Sequence, residues 1–172
     1  MRRLKYMLLA LLLVPVFFLA SCGNSSFYSR FKNLGAEIEQ KNCFVELTLD
    51  EAVEKKAKDN FVLIIVSSDK YDSATVISEL QFDATNTNYE GSIFVYDVKS
   101  PTAKEASNIT EKLGITSYSD SSNGFVAVGY KNNNKVFDTS KGGSECDVFK
   151  TTSSSINIHA VFTYIAEGTI EK

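Results

Sequence analysis

Residues 61–80, FVLIIVSSDKYDSATVISEL, place six consecutive apolar residues before a short polar loop and a second patterned segment. The run from Phe61 to Val66 is apolar at every position, which predicts a short strand buried on both faces. Ala74, Ile77 and Leu80 then recur at a spacing of three, which predicts a helix with one apolar face. A buried strand that leads directly into a helix is the basic unit of α/β domains, so this stretch indicates the fold class.

Other helices are predicted from capping residues and spacing. Thr48-Leu49-Asp50-Glu51 has the spacing of a capping box and starts a helix that ends near Asn60. Ser100 as N-cap and Pro101 at the first helical position predict a helix that Gly114 ends. Weaker patterns predict a short helix over 31–40, a loop over 83–91, and a closing helix over 158–165 that is capped by one of the serines at 153–155.

The remaining strands are predicted at 43–47, 93–98, 125–130 and 135–138. Asn132-Asn133-Asn134 fits a tight turn, so the last two strands form an antiparallel hairpin. The first three strands are linked by helical crossovers and therefore run parallel. The predicted fold is α/β, with the order β-α-β-α-β-α-β-β-α and a central mixed sheet flanked by helices.

The amino-terminal residues 1–22, MRRLKYMLLALLLVPVFFLASC, have a positive start, an apolar run and small residues before Cys22. The apolar run contains Pro15 and is shorter than the ~20 residues that span a bilayer, which disfavours a transmembrane anchor. Leu19-Ala20-Ser21-Cys22 resembles the lipobox of bacterial lipoproteins. That resemblance implies cleavage before Cys22, lipid (palmitate among its acyl chains) on this cysteine, and a place on the extracytoplasmic face of a bacterial cell membrane.

The expected organisation is a signal peptide over 1–21, a lipidated cysteine and spacer over 22–42, and one domain over 43–172. Gly23 to Ser29 is small and polar, as a spacer would be. Without residues 1–21 the chain keeps 15 Lys and Arg against 21 Asp and Glu, a net charge of −6. Such an acidic chain is a poor nucleic-acid binder, because that affinity depends on cationic side chains at phosphates.

The order of elements resembles the thioredoxin fold over roughly residues 43–168. Three segments carry the resemblance: the strand and loop at 61–73, VKSPTAKEASNITEKLGI at 98–115, and FVAVGYKNNNKV at 125–136. The Thr-x-Asp-Glu-Ala helix at 48–52, ahead of a buried strand, also resembles the thioredoxin-like bacteriocin transport accessory proteins.

The chain departs from the thioredoxin family at the two places that do its chemistry. Dithiol exchange needs two cysteines spaced C-x-x-C at a helix N-terminus, where the thiolate is stabilised. The corresponding residues are Lys70-Tyr71-Asp72-Ser73, and none is a thiol. The family's cis-proline would fall within 117–123, SYSDSSN, which has no proline. These departures exclude dithiol exchange and predict a protein that is not an enzyme and holds no cofactor.

The other candidate residues have ordinary alternatives. Cys43 and Cys146 either form a disulfide, as extracytoplasmic pairs often do, or remain two thiols. His159 is the only histidine and is expected to be packed or on the surface. Four carboxylates, Asp69, Asp72, Asp83 and Glu90, would make a cation site only if they gathered at one loop tip. Three aromatic residues, Tyr71, Tyr118 and Tyr130, either mark a peptide groove or complete the core.

The leading hypothesis is a membrane-anchored, redox-inactive thioredoxin-like lipoprotein. It would bind a protein or peptide through the loop residues Lys70, Tyr71, Asp72 and Ser73 together with Tyr118, as a chaperone-like or export-associated accessory module. The alternative is a lipoprotein that binds a small molecule or metal for a transporter through the loops at 67–73 and 117–123. A hydrolase without a recognisable motif is the third possibility.

Overall fold

A computed structural model describes residues 23–39, 43–118, 125–140, 147–150 and 156–167. They form an α/β domain with one five-stranded mixed sheet flanked by helices, which confirms the predicted class. The strands are β1 (Phe44–Glu46), β2 (Phe61–Val66), β3 (Ile93–Asp97), β4 (Phe125–Lys131) and β5 (Asn134–Asp138). The helices are α1 (Gly23–Asn33), α2 (Leu49–Lys58), α3 (Tyr71–Asn86), α4 (Ala103–Leu113) and α5 (Ile158–Ala166).

The strands are arranged in the order β1-β3-β2-β4-β5, with β2 at the centre. β1, β3 and β2 are parallel, while β4 is antiparallel to both β2 and β5, as the crossovers and the hairpin predicted. We call the side where β1, β2 and β3 begin the amino edge and the side where they end the carboxyl edge. The hairpin turn at Asn132-Asn133 lies at the amino edge, because Tyr130 pairs with Phe61 and the Asn132 amide donates to Asn60 Oδ1.

The central strand β2 is buried at all six positions because helices cover both faces of the sheet. Val62, Ile64 and Val66 face a core shared with buried residues of α1, α3 and α5. The alternate residues of β2 face a second core that contains Ala52 of α2 and Ile109 and Leu113 of α4. We call these the first and second faces of the sheet.

The first helix corrects two predictions. Gly23 to Ser29, predicted as a spacer, lies within α1, and the short helix predicted over 31–40 ends at Asn33. Phe27 and Phe31 are 1% and 0% exposed and pack with Tyr28 against the first face. Their spacing of four residues places both rings on one side of a helix, and the polar residues around them obscured this pattern. The folded domain therefore begins before residue 43.

Several helix ends differ from the sequence predictions. α3 begins at Tyr71 and continues to Asn86, so part of the loop predicted at 83–91 is helical. The N-cap of α4 is Thr102, in a capping box with Glu105, rather than Ser100. Ser100 instead has a φ of +31° and its hydroxyl donates to Asp69. The N-cap of α5 is Asn157, whose side chain accepts from the Ala160 amide, rather than one of the serines before it.

Other local predictions are confirmed. Thr48 and Glu51 form both hydrogen bonds of a capping box at the start of α2. Gly114 ends α4 with a φ of 66°, in the left-handed region that favours glycine. Asn132 and Asn133 have φ values of 52° and 65°, as a tight hairpin turn requires.

Within these described ranges, no helix is both long and apolar enough to cross a membrane. Cys22, the signal peptide and Cys146 lie outside them, so lipidation, cleavage and the disulfide stay predictions.

Candidate functional site

The loop between β2 and α3 lies at the carboxyl edge of the sheet. The Lys70 amide donates to the Ser67 carbonyl at 3.0 Å, which closes a turn just before α3. The Ser67 amide donates to Ser73 Oγ at 3.0 Å, so the first turn of α3 is bound back to the end of β2. Ser73 is 0% exposed. Its predicted role as a partner contact is therefore wrong, because its hydroxyl is used inside the loop.

The other three residues of the predicted loop are exposed. Lys70 is at the N-cap position of α3, and Tyr71 and Asp72 form the first turn. The side chain of Tyr71 is 71% exposed, and it lies beside Gly35, where an added Cβ would be 3.6 Å from its ring. An aromatic ring this exposed, next to one cation and one anion, offers apolar area and charge to a partner.

A charged cluster fixes the base of this loop. Arg30 of α1 donates through Nε to Asp97 Oδ2 at 3.0 Å and forms a second ion pair with Glu46. The Asp97 side chain is only 2% exposed. Burial raises the pKa of Glu46 above its usual value, although the Arg30 charge opposes this rise. The cluster joins α1, β1 and β3 at the carboxyl edge.

Asp97 also holds the loop itself. Its other oxygen, Oδ1, accepts from the Ser68 amide at 2.8 Å, so one buried carboxylate binds both α1 and the β2–α3 loop. Further along the loop, Asp69 accepts from the Ser100 hydroxyl at 2.9 Å. These contacts make the exposed surface at Lys70, Tyr71 and Asp72 a preformed one, which reduces the entropy that binding would cost.

The structure does not bring Tyr118 to the same surface. Tyr118 is half-buried and packs against the core of the second face, whereas Tyr71 is in α3 on the first face, beside Gly35 of the segment that follows α1. Tyr130 is fully buried, and its hydroxyl donates to the Leu113 carbonyl at 2.7 Å. Tyr130 therefore completes the core, and of the three tyrosines Tyr71 alone has most of its side chain exposed.

A groove of about 350 Å³ opens on the second face at the carboxyl edge, between α2 and α4. Its polar lining includes Tyr96, Lys99, Glu105 and Asn108. Burial raises the pKa of the Tyr96 phenol, and the nearby Glu105 carboxylate adds to the shift. Tyr96 is therefore neutral at physiological pH and can donate a hydrogen bond in this groove.

The four carboxylates considered for a cation site do not gather. Asp69 and Asp72 are at the start of α3, but Glu90 follows its end. This helix has 16 residues and is about 24 Å long. Asp83 is instead in contact with α5: its Oδ2 atom lies 2.7 Å from His159 Nδ1, and this contact joins α3 to α5. Among the described residues, no group of three or more His, Cys, Asp or Glu side chains is placed to hold a metal ion.

Cys43 is buried at the amino edge, immediately before β1. It lies next to Tyr28, whose phenol has a raised pKa because of burial and the neighbouring thiol. β1 and β5 are the two outermost strands of the sheet, so they lie far apart. Only the long segment after β5 would therefore bring Cys146 near Cys43.

Sequence reasoning did not predict that Arg30, Glu46 and Asp97 support the loop between β2 and α3. The three residues come from different segments, and no spacing rule connects them. The one local signal was a carboxylate at the end of an otherwise apolar strand, at Asp97.

No protein-family model matches this chain, and no curated protein is significantly similar to it in sequence. What the chain does must therefore be inferred from its fold and its carboxyl edge.

Proposed function

We propose that this chain is a lipid-anchored protein of the bacterial extracytoplasmic face whose redox-inactive, thioredoxin-like domain binds a protein or peptide partner. The lipid is attached to Cys22, and the domain acts as a chaperone-like or export-associated accessory module. The partner binds at the carboxyl edge, through Lys70, Tyr71 and Asp72. Ser73 supports this surface from inside the loop.

The thioredoxin-like assignment is supported by the topology. The order β1-β3-β2-β4-β5, with β4 antiparallel, is the arrangement expected for that fold. The crossover helices lie on both faces, and the terminal hairpin of β4 and β5 forms one lateral border of the sheet. In that fold the loop after the central strand, Ser67 to Lys70 here, is the site of chemistry.

One observation carries the binding role. The loop that follows the central strand presents an ordered, exposed surface although it has no thiol. Tyr71 is 71% exposed, while the residues beneath it are held by hydrogen bonds to Asp97 and Ser73. A large aromatic ring on a rigid support is typical of binding hot spots, because its apolar area is buried at low entropic cost.

The test compares two exposed aromatic residues of the same helix. Tyr71→Ala should abolish capture of the partner from a detergent extract of whole cells. Phe82→Ala, at a ring that is 62% exposed further along α3, should leave capture unchanged. Both variants should unfold at the wild-type temperature. Equal capture by both variants would contradict the proposed surface, and measurable turnover in an insulin reduction assay would refute redox inactivity.

The groove between α2 and α4 favours a second candidate, a lipoprotein that binds a small molecule for a transporter. Its volume of about 350 Å³ suits a small metabolite, and Tyr96, Lys99 and Glu105 supply polar contacts. A thermal-shift screen against small metabolites and divalent cations separates the candidates. A large, specific shift that Asn108→Leu removes and Tyr71→Ala keeps would favour this second function.

A further inference from the structure

The direction of α1 determines at which edge of the sheet this helix begins. Tyr28, near the start of the helix, contacts Phe44 at the beginning of β1, with ring centroids 6.2 Å apart. Arg30, later in the helix, reaches Glu46 at the end of β1. α1 therefore runs in the same direction as β1, and its first residue, Gly23, lies at the amino edge of the sheet.

The covalent chain leaves little freedom between Cys22 and the domain. The Cα atoms of Cys22 and Gly23 are about 3.8 Å apart. From Gly23 to the buried Phe27 the helix rises about 6 Å. A lipid on Cys22 would thus be held within about 10 Å of a core side chain, measured along the helix. No flexible spacer separates the membrane from the folded domain.

We propose that the amino edge of the sheet rests on the lipid headgroups and that the carboxyl edge, with Tyr71, faces away from the membrane. This orientation rests on the proposed lipidation of Cys22. The partner of the amino edge is the phospholipid surface itself. The carboxyl edge is then presented to soluble extracytoplasmic partners rather than to transmembrane segments.

The chemistry of the amino edge agrees with this contact. The exposed charged residues near its strand ends include Lys58 at the end of α2, together with Asp59 and Glu90. Six exposed asparagines, which are uncharged and donate and accept hydrogen bonds, also lie there: Asn60, Asn86, Asn88, Asn132, Asn133 and Asn134.

The carboxyl edge carries exposed charges of both signs. Carboxylates at Asp50, Asp69, Asp72 and Glu105 and ammonium groups at Lys70, Lys99 and Lys104 lie in the segments that follow β1, β2 and β3. These charges do not distinguish the two edges, so the orientation rests on the chain geometry of α1.

The two ends of α3 supply matched probes. Tyr71 is its first residue and Asn86 its last, which separates them by about 22 Å along the axis. The chain contains no tryptophan, so a single introduced tryptophan reports its own position. The full lipoprotein is purified from membranes and reconstituted in phosphatidylcholine vesicles that contain a headgroup-nitroxide phosphatidylcholine, which quenches nearby tryptophan.

Quenching of Asn86→Trp should be at least twofold stronger than quenching of Tyr71→Trp. A second pair, Glu90→Trp at the amino edge and Lys99→Trp at the carboxyl edge, should repeat the difference if either first variant folds poorly. Expressed without residues 1–22, the four variants should show no quenching, because nothing then holds the domain at the vesicles.

The mass of the purified protein shows whether Cys22 carries lipid, and this distinguishes a failure of the proposed anchor from a failure of the proposed orientation. A lipid on Cys22 together with equal quenching at both edges, or stronger quenching at Tyr71, overturns the orientation alone. A mass without lipid overturns the anchor and the orientation with it, while capture through Tyr71 can still be tested. Lipid on Cys22 with quenching confined to Asn86 and Glu90 is the expected result.

Discussion

Arg30 Nε donates to Asp97 Oδ2 at 3.0 Å, and this contact joins the first helix to the end of the third strand. The same carboxylate accepts from the Ser68 amide, so helix, sheet and candidate loop share one buried anion. A substitution of Arg30 should therefore alter the loop that presents Tyr71, although Arg30 itself belongs to a different helix.

Arg30→Met should lower the free energy of unfolding by about 3 kcal/mol, because it leaves the buried Asp97 carboxylate without its cation. Chemical denaturation measures the loss. Lys58→Met is the matched control. Lys58 pairs with Glu54, and both side chains are 66% exposed, so we expect little change in stability. Similar losses for the two variants would contradict the structural role of the buried cluster.

Asp138 should make stability depend on acid pH. Burial alone would raise the pKa of its carboxyl group, which is 2% exposed. Hydrogen bonds from Ser140, Lys135 and Thr116 outweigh burial and lower the pKa. The unfolded pKa is therefore the higher one. The stability contributed by Asp138 is fully present above about pH 4, the usual aspartate value, and is lost as the pH falls through the folded pKa.

Asp138→Asn should consequently cost about 2 kcal/mol at pH 7, and its difference from the wild type should shrink in acid. Denaturation curves between pH 7 and pH 3 measure this. Asp59→Asn serves as the control, since the Asp59 side chain is 53% exposed in its pair with Lys55 and should cost little. A difference between Asp138→Asn and wild type that stayed constant over this range would show that the Asp138 charge does not contribute.

Tyr130→Phe should destabilise the domain by about 1 to 2 kcal/mol. The substitution keeps the ring but removes the hydroxyl that donates to the Leu113 carbonyl at 2.7 Å, and that carbonyl is at the end of α4. Thermal unfolding measures the loss. Tyr71→Phe removes the same hydroxyl from an exposed ring and should be neutral. If both substitutions were neutral, the buried hydrogen bond would not be contributing.

Phe27→Ala should cost about 3 to 5 kcal/mol, as expected for an aromatic side chain that is 1% exposed in the core. Ser29→Ala, at an exposed position of the same helix, should change stability by less than about 0.5 kcal/mol. Urea titration of both variants distinguishes a core helix from a spacer. A loss below about 1 kcal/mol for Phe27→Ala would restore the spacer hypothesis.

The elements with strong local patterns were predicted well. β2 is apolar at every position because both of its faces are covered, and this is visible in the sequence. The Thr48 capping box, the Gly114 helix end and the asparagine hairpin also follow from local rules. The first part of α1 was missed because its aromatic residues lie among small polar ones, so its stability comes from packing on β1 rather than from propensity.

The candidate site was predicted less completely. The position of the β2–α3 loop followed from the order of elements, and the exposure of Tyr71 agrees with the hypothesis of a binding role. Ser73 was assigned to the wrong side of the loop, because a serine in the first turn of a helix can point outward or bond backward. Local spacing cannot separate these two arrangements.

The sequence by itself determined the α/β class, the central strand and the absence of thiols from the loop after that strand, because each of these depends on residues that are close in the chain. Only the tertiary structure decided that α1 belongs to the core, that Arg30 and Asp97 meet, and that Gly23 and Tyr71 lie at opposite edges of the sheet. These relations join segments that are distant in the sequence, and long-range packing, rather than local preference, sets them.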